Sequence, residues 1–235
     1  MPSHRFNVAS IVALCTALSL PGAAAATLAA PVATAMHGSL QEIVVTATRS
    51  EQPRLDVPLS ISRLDGDELA RVGAQHAYES LNRVAGVLIQ RGSGQESLIA
   101  VRSPVLTGSG ACGAFLILED EMPVRPTGFC NVNELFEINT EQAGALEVIR
   151  GPAPVTYGAN GLHGVVNVRS PSAAALQGLR IALESGAADW RRASFAVGNA
   201  HPGRSFGAYG IVSRDGGFRA DSRVADAKLN LLYER

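Results

Sequence analysis

The sequence predicts an α+β domain over residues 57–170, a short mixed sheet with short helices, followed over 171–235 by antiparallel strands. Three observations predict it. Short β-branched runs alternate with brief helical patterns up to residue 170. Gly and Pro together make 36 of 235 residues, which sets many turns and few long helices. After Pro171 the pattern changes to strict alternation of apolar and polar residues.

The elements follow in chain order. Met1 to Arg5 is a short basic start, residues 6–20 are apolar, and Pro21-Gly22 precede Ala23 to Ala26. That order marks a secretory signal peptide, residues 1–26, with 35 as the alternative end. The apolar run falls short of the roughly 20 residues a spanning helix needs. Cys15 follows Leu14, where a lipid-attachment site calls for a small residue. Residues 27–56 form a loose segment, in which Ile43-Val44-Val45-Thr46 is a β-branched run closed off by Pro53 and Pro58. It reads as an extended stretch awaiting a partner strand.

Strands are expected at 59–62, 87–90, 98–102, 115–118, 146–150 and 165–168, and helices at 67–71, 78–84 and 140–146. Beyond 171, Leu179, Ile181 and Leu183 oppose Arg180, Ala182 and Glu184. Ala193, Phe195 and Val197 oppose Arg192, Ser194 and Ala196. Ala225, Ala227, Leu229, Leu231 and Tyr233 oppose Asp226, Lys228 and Asn230. A membrane β-barrel and a β-sandwich both produce such alternation.

Chemistry is sparse. A net charge of −1 argues against nucleic acid as a partner. Histidines 4, 37, 76, 163 and 201 are scattered, at no metal-ligand spacing. Gly108, Gly110 and Gly113 match a dinucleotide fingerprint in letters only, because a strand-like run rather than a helix follows them. No enzyme activity, metal site or cofactor is expected. The trio Glu119-Asp120-Glu121 reads as a solvated strand end, with Ca²⁺ as the alternative. In an exported chain Cys112 and Cys130 are expected to pair, with free thiols as the alternative. The disulfide would contribute about 3 kcal/mol in the chain-entropy picture.

Three stretches resemble the TonB-dependent receptors of the Gram-negative outer membrane. "EIVVTATR", 42–49, looks like a TonB box. "LIAVRSP", 98–104, resembles the first plug motif, with Ser103 where Gly is usual. "LEVIRGPAPVTYGANGLHGVVNV", 146–168, resembles the second. "LEDEMPV" fits the family's Val-Asp-Gly-x-Pro pattern at Asp120 and Pro123, with Glu121 replacing Gly.

The resemblance implies a TonB box of Glu42, Ile43, Val44, Val45 and Thr46, and a plug motif of Arg102, Arg150, Gly151, Pro152, Tyr157 and Gly158. It implies a plug domain, 57–170, followed by the first antiparallel strands of an incomplete transmembrane β-barrel, 171–235. Arg102 and Arg150 would pair with barrel glutamates beyond residue 235. Partners would be TonB with its inner-membrane energising complex, a small-molecule ligand such as an iron-siderophore or other metal chelate, and outer-membrane lipid. Ligand would meet loops 92–96, 106–113 and 124–131. On this reading the chain is the N-terminal portion of a receptor, gated by TonB and unable to transport alone. A stand-alone periplasmic module binding ligand or TonB is the alternative.

Overall fold

A computed structural model of the chain describes residues 44–45, 49–50, 52–92, 94–105, 115–124 and 134–235. The strands are β1 (Val44–Val45), β2 (Gln52–Pro53), β3 (Ile61–Asp65), β4 (Val87–Arg91), β5 (Ser97–Val101), β6 (Phe115–Glu119), β7 (Met122–Pro123), β8 (Ala145–Arg150), β9 (Gly164–Arg169), β10 (Gly178–Ser185), β11 (Arg191–His201), β12 (Arg204–Asp215) and β13 (Val224–Glu234). Two helices, α1 (Gly66–Val72) and α2 (Ala77–Leu81), lie between β3 and β4.

The first part of the fold is a five-stranded sheet ordered β3-β8-β9-β6-β7. Only β6 and β9 run parallel. The central strands β8 and β9 are covered on both faces, so ALEVIR and GVVNVR are nearly continuous apolar runs rather than alternating ones. On one face Leu64, Leu146, Val148, Val166 and Val168 meet Leu69 and Leu81 of the helices and Ile89 and Ile99 of the β4–β5 hairpin. On the other, Ile61, Leu116, Leu118, Ile149 and Val165 pack beneath Val57 and Tyr157. Each fully buried Leu or Ile here contributes about 1.5–3 kcal/mol by leaving water.

The helices form for local reasons. Asp67 and Glu68 sit in the first turn of α1, where the helix dipole favours acids, and Gly73 ends it at φ 58 with its N–H on the Leu69 carbonyl. The expected helix at 140–146 does not form. The Asn139 carboxamide oxygen accepts the Gln142 N–H and caps a single turn, which Gly144 and the start of β8 at Ala145 cut short. The second helix ends at Leu81 rather than 84, and the strand expected at 59–62 lies at 61–65.

The second part is a four-stranded antiparallel sheet, β10-β11-β12-β13, open at both edges among the described residues. Its apolar side faces outward. Leu179, Ile181, Leu183, Phe206, Val212, Leu229 and Leu231 are all more than half exposed. Its other side faces the first part and buries Arg192, Tyr209 and Lys228 on β11–β13, while β10 is exposed along its whole length. A sandwich would bury the apolar side, so this inverted pattern removes that alternative. β12 was absent from the alternating segments named above. Gly207 and Gly210 interrupt its pattern, and Gly210 lies beneath the Phe195 ring, where an added Cβ would stand 2.7 Å from a ring carbon.

Candidate functional site

The motif residues gather at one end of the mixed sheet. β8 stops at Arg150, and Gly151 turns the chain at φ 114. The Gly151 N–H donates to the His163 carbonyl and the Ala153 N–H to the Gly161 carbonyl. Pro152 falls between them, where its missing N–H costs nothing. Gly158 takes φ 76 and ψ −147, a conformation close to glycine-only. Tyr157, buried beside it, has its phenol pushed up to about 12, first by burial and then by the Glu121 and Glu147 carboxylates, so it stays neutral.

Arg102 and Arg150 converge. Arg150 donates to the Ala85 carbonyl at 2.8 Å and, through its backbone N–H, to the Ser60 carbonyl at 2.9 Å. Arg102, at φ 49, reaches the Ser60 hydroxyl at 3.3 Å. Burial, then Arg102, then Arg54, hold the Arg150 pKa below its ordinary value. Among the described residues neither guanidinium forms an ion pair with a carboxylate. The cluster is a positive patch in which Arg102 is exposed and Arg150 half-buried.

Within the β-branched run, Val44 and Val45 form a strand. Val44 pairs with Pro53 and Val45 with Gln52, an antiparallel ladder of two residues. Pro53 offers no N–H, so the ladder is weak and exchangeable. Arg49 follows and holds its guanidinium 5.4 Å from the Tyr157 ring centre. Glu42, Ile43 and Thr46 lie outside the described residues, as do Cys112 and Cys130 and most of loops 106–113 and 124–131.

Sequence reasoning missed a buried polar row on the Tyr157 side of the sheet. In register across three strands stand Arg63, Glu147 and Asn167. Glu147 is 1% exposed and meets Arg63 at 2.8 Å. Asn167 accepts the Glu121 N–H at 3.0 Å, and Arg169 pairs with the Glu121 carboxylate at 2.9 Å. The acidic trio is therefore not a solvated strand end. Asp120 and Glu121 form a two-residue turn with φ 46 and 68, and Asn167 and Arg169 hold Glu121 in the left-handed conformation that glycine would take freely. Replacing Asn167 by leucine is expected to cost about 1–3 kcal/mol, because the Glu121 N–H loses its acceptor. Urea denaturation of the full chain measures it.

At its far end the β4–β5 hairpin approaches the ends of β12 and β13. Arg91 stands 3.8 Å from Asp215. His76, buried behind this tip, accepts the Tyr78 N–H at Nδ1, so Nε2 carries the proton and donates to the Gln95 carbonyl at 3.1 Å. Burial, opposed by the Gln95 bond and reinforced by Arg91, holds its pKa below the usual 6.5. The unfolded chain gains a proton near 6.5 that the folded chain refuses until lower pH. Stability is therefore expected to fall as pH drops from 6.5 to the folded pKa and to level off below it. His76→Asn keeps a capping acceptor and should remove that part of the slope, seen by comparing urea midpoints at pH 7.5 and 5.5.

The two parts of the fold dock through polar groups. Lys228 of β13 lies 3.2 Å from both Glu141 oxygens and 3.4 Å from Asp226. Asn230 donates to Glu119 at 3.2 Å, and Asn139 donates to Asn230 at 3.4 Å. Glu119 is held above its ordinary pKa, mostly by burial. Arg192 clasps Glu184 and donates to the Ala74 carbonyl, and the Tyr209 hydroxyl meets Ser170. The apolar share of the contact is small: Leu176, Ala196 and Tyr209, with Leu232 beside them. A cleft of about 1130 Å³ remains open between α1 and the inner face of the sheet.

Residues 53–165 match the family described as the TonB-dependent receptor plug domain. The chain is 26% identical over 196 residues to the vitamin B12 transporter BtuB of Vibrio vulnificus (strain CMCP6), covering 82% of this chain and 30% of that protein. It is 27% identical over 218 residues to a hemin receptor of Yersinia pestis, covering 90% of this chain and 31% of the relative. The chain thus spans under a third of the length of these relatives. Among solved structures it resembles the outer-membrane ferripyoverdine receptor of Pseudomonas aeruginosa, with a TM-score of 0.56 at 16% identity over 73% of this chain and 22% of that one. It also resembles the alcaligin outer-membrane receptor FauA of Bordetella pertussis, with a TM-score of 0.56 at 13% identity over 81% of this chain and 32% of the other. At these identities the structural likeness concerns the fold.

Proposed function

We propose that this chain, whose residues 53–165 match the TonB-dependent receptor plug domain, stoppers a β-barrel and is moved aside by TonB to admit a scarce ligand. One observation carries the reading: the sheet β10–β13 turns its apolar side out and its polar side in, onto the plug. An apolar outer face belongs in lipid, and a polar inner face suits a stopper that must move. In the alternative, a stand-alone periplasmic module, water would have to cover that apolar face. Four strands with two open edges do not close a cylinder, because such barrels begin at about eight. Transport on this proposal therefore needs further strands, and residues 171–235 supply the first of them.

Residues 42–46 would add as a strand to a TonB sheet edge, exchanging the weak pairing of Val44–Val45 with Gln52–Pro53 for a longer one. Arg102 and Arg150 would pair with barrel glutamates, which fits their lack of a carboxylate among the described residues. The relatives name vitamin B12, hemin, ferripyoverdine and alcaligin. A metal chelate is the ligand class we propose, met by loops 92–96, 106–113 and 124–131. Residues 1–26 would be the signal peptide, and Cys112–Cys130 would bridge the loops.

Two measurements test this. After carbonate extraction the expressed chain should stay with the membranes; release into the supernatant overturns the membrane reading. Immobilised periplasmic domain of TonB should retain the chain, and Val45→Pro should abolish retention by removing a ladder N–H. Equal retention of the variant would remove 42–46 from that role.

A further inference from the structure

The outward side of the β10–β13 sheet is organised in rows, because paired strands in register place alternate residues side by side. Leu183, Ala193, Val212 and Ala227 form one row. Ile181, Phe195, Gly210 and Leu229 form the next, and Leu179, Val197, Ala208 and Leu231 a third. Below them Phe206 and Tyr233 stack at 5.0 Å between centroids. Above them, on the same outward side, Arg191 stands directly across from Arg214. From the Phe206 row to the Arg214 row is eight residues along β12, roughly 27 Å at strand rise. Allowing for tilt, that is close to the apolar band of about 25 Å that such barrels present to lipid. The aromatic pair and the arginine pair therefore mark its two borders.

Two cations directly opposite on one face repel. The local counter-charge is insufficient. Asp189 contacts Arg191 at 2.7 Å and Arg214 at 3.5 Å, leaving one positive charge in excess. On β12 itself the one acid, Asp215, points to the inner side and faces Arg91. Both side chains remain more than half exposed, 71% and 52%. They are fixed on strands, and the Gly216 N–H ties the β12–β13 loop to the Ala188 carbonyl of the β10–β11 loop. The other border differs: there Arg204 faces His201 rather than a second arginine. The β11–β12 connection at that border is only Pro202-Gly203, and short turns of outer-membrane barrels lie on the periplasmic side. The arginine pair accordingly sits at the outer leaflet.

We propose that Arg191 and Arg214 form an outward-facing seat for the phosphate of an anionic lipid headgroup in the outer leaflet. The two forks supply parallel N–H donors to one phosphate and discharge the excess charge that Asp189 leaves. The inference rests on the membrane reading above.

The test uses the full chain in phosphatidylcholine nanodiscs with an increasing fraction of phosphatidic acid. Trp190, the only tryptophan, adjoins Arg191 and reports by its fluorescence. Phosphatidic acid should change the emission saturably, with a low-salt preference, and Arg191→Ala/Arg214→Ala should weaken that binding at least about tenfold. Arg204→Ala should not. Asp189→Asn, which removes the internal competitor, should tighten it, so the idea stays open to refutation even if the double variant folds badly. Equal response to both lipids, weaker binding by Asp189→Asn, or the same response to inorganic phosphate alone would each overturn the proposal. A chain that enters neither nanodisc defeats the membrane reading instead.

Discussion

Arg63→Ala is expected to destabilise the plug by about 3–5 kcal/mol, the usual cost of removing one partner from a buried ion pair. Glu147 is 1% exposed in a strand covered on both faces, and Arg63 meets it at 2.8 Å. Arg63 also touches the exposed Asp65, and that contact is worth little. The buried partner therefore sets the effect. The double change Arg63→Met/Glu147→Leu should recover most of the loss, since apolar residues of similar volume often replace such pairs without cost. Urea denaturation of the three variants decides. If the single change costs under 1 kcal/mol, the pair is peripheral to stability. On the gating proposed above, the same contact would bear load. β3 is an edge strand and the first element of the sheet reached from the N-terminal segment. Traction at residues 42–46 would load β3 against β8, and Arg63–Glu147 is the charged tie between them.

What the sequence made legible was local. β8 and β9 read as strands because five consecutive residues in each are buried, a pattern visible as an apolar run. The Gly-Pro turn after Arg150 was equally plain. Long-range pairing was not. Arg63 and Glu147 are separated by 84 positions, and Glu141 and Lys228 by 87, so nothing near either residue announces its partner. The alternation after Pro171 fixed strands and faces, but a sandwich and a barrel alternate alike, and only the side that is buried separates them. β12 escaped because glycine contributes no hydropathy contrast at Gly207 and Gly210. The turn at 139–144 was misread as helix because its composition suits a helix, while the pairing of β8 from Ala145 leaves room for only one turn.

Lys228→Met is expected to loosen the docking of the plug on the strands by about 3–5 kcal/mol while leaving the mixed sheet intact. The Lys228 and Glu141 side chains are 8% and 9% exposed, so the change strands a buried carboxylate beside Asp226. The loss should appear as faster amide exchange at 139–144, with the β8 and β9 amides unchanged. High salt should mimic it poorly, because a buried pair is screened far less than surface pairs such as Arg191–Asp189. The double change Lys228→Met/Glu141→Leu should dock at least as firmly as the native chain, and its meaning is functional. Polar contacts exchange for water one at a time as two surfaces part, whereas an apolar seam opposes parting until its whole area is wet. A stopper built to move should therefore be held by groups such as Lys228, Asn230 and Arg192, with little apolar seam. In a complete receptor the apolar double variant is expected to bind ligand normally and to admit it more slowly. Unchanged uptake would separate the polarity of this contact from gating.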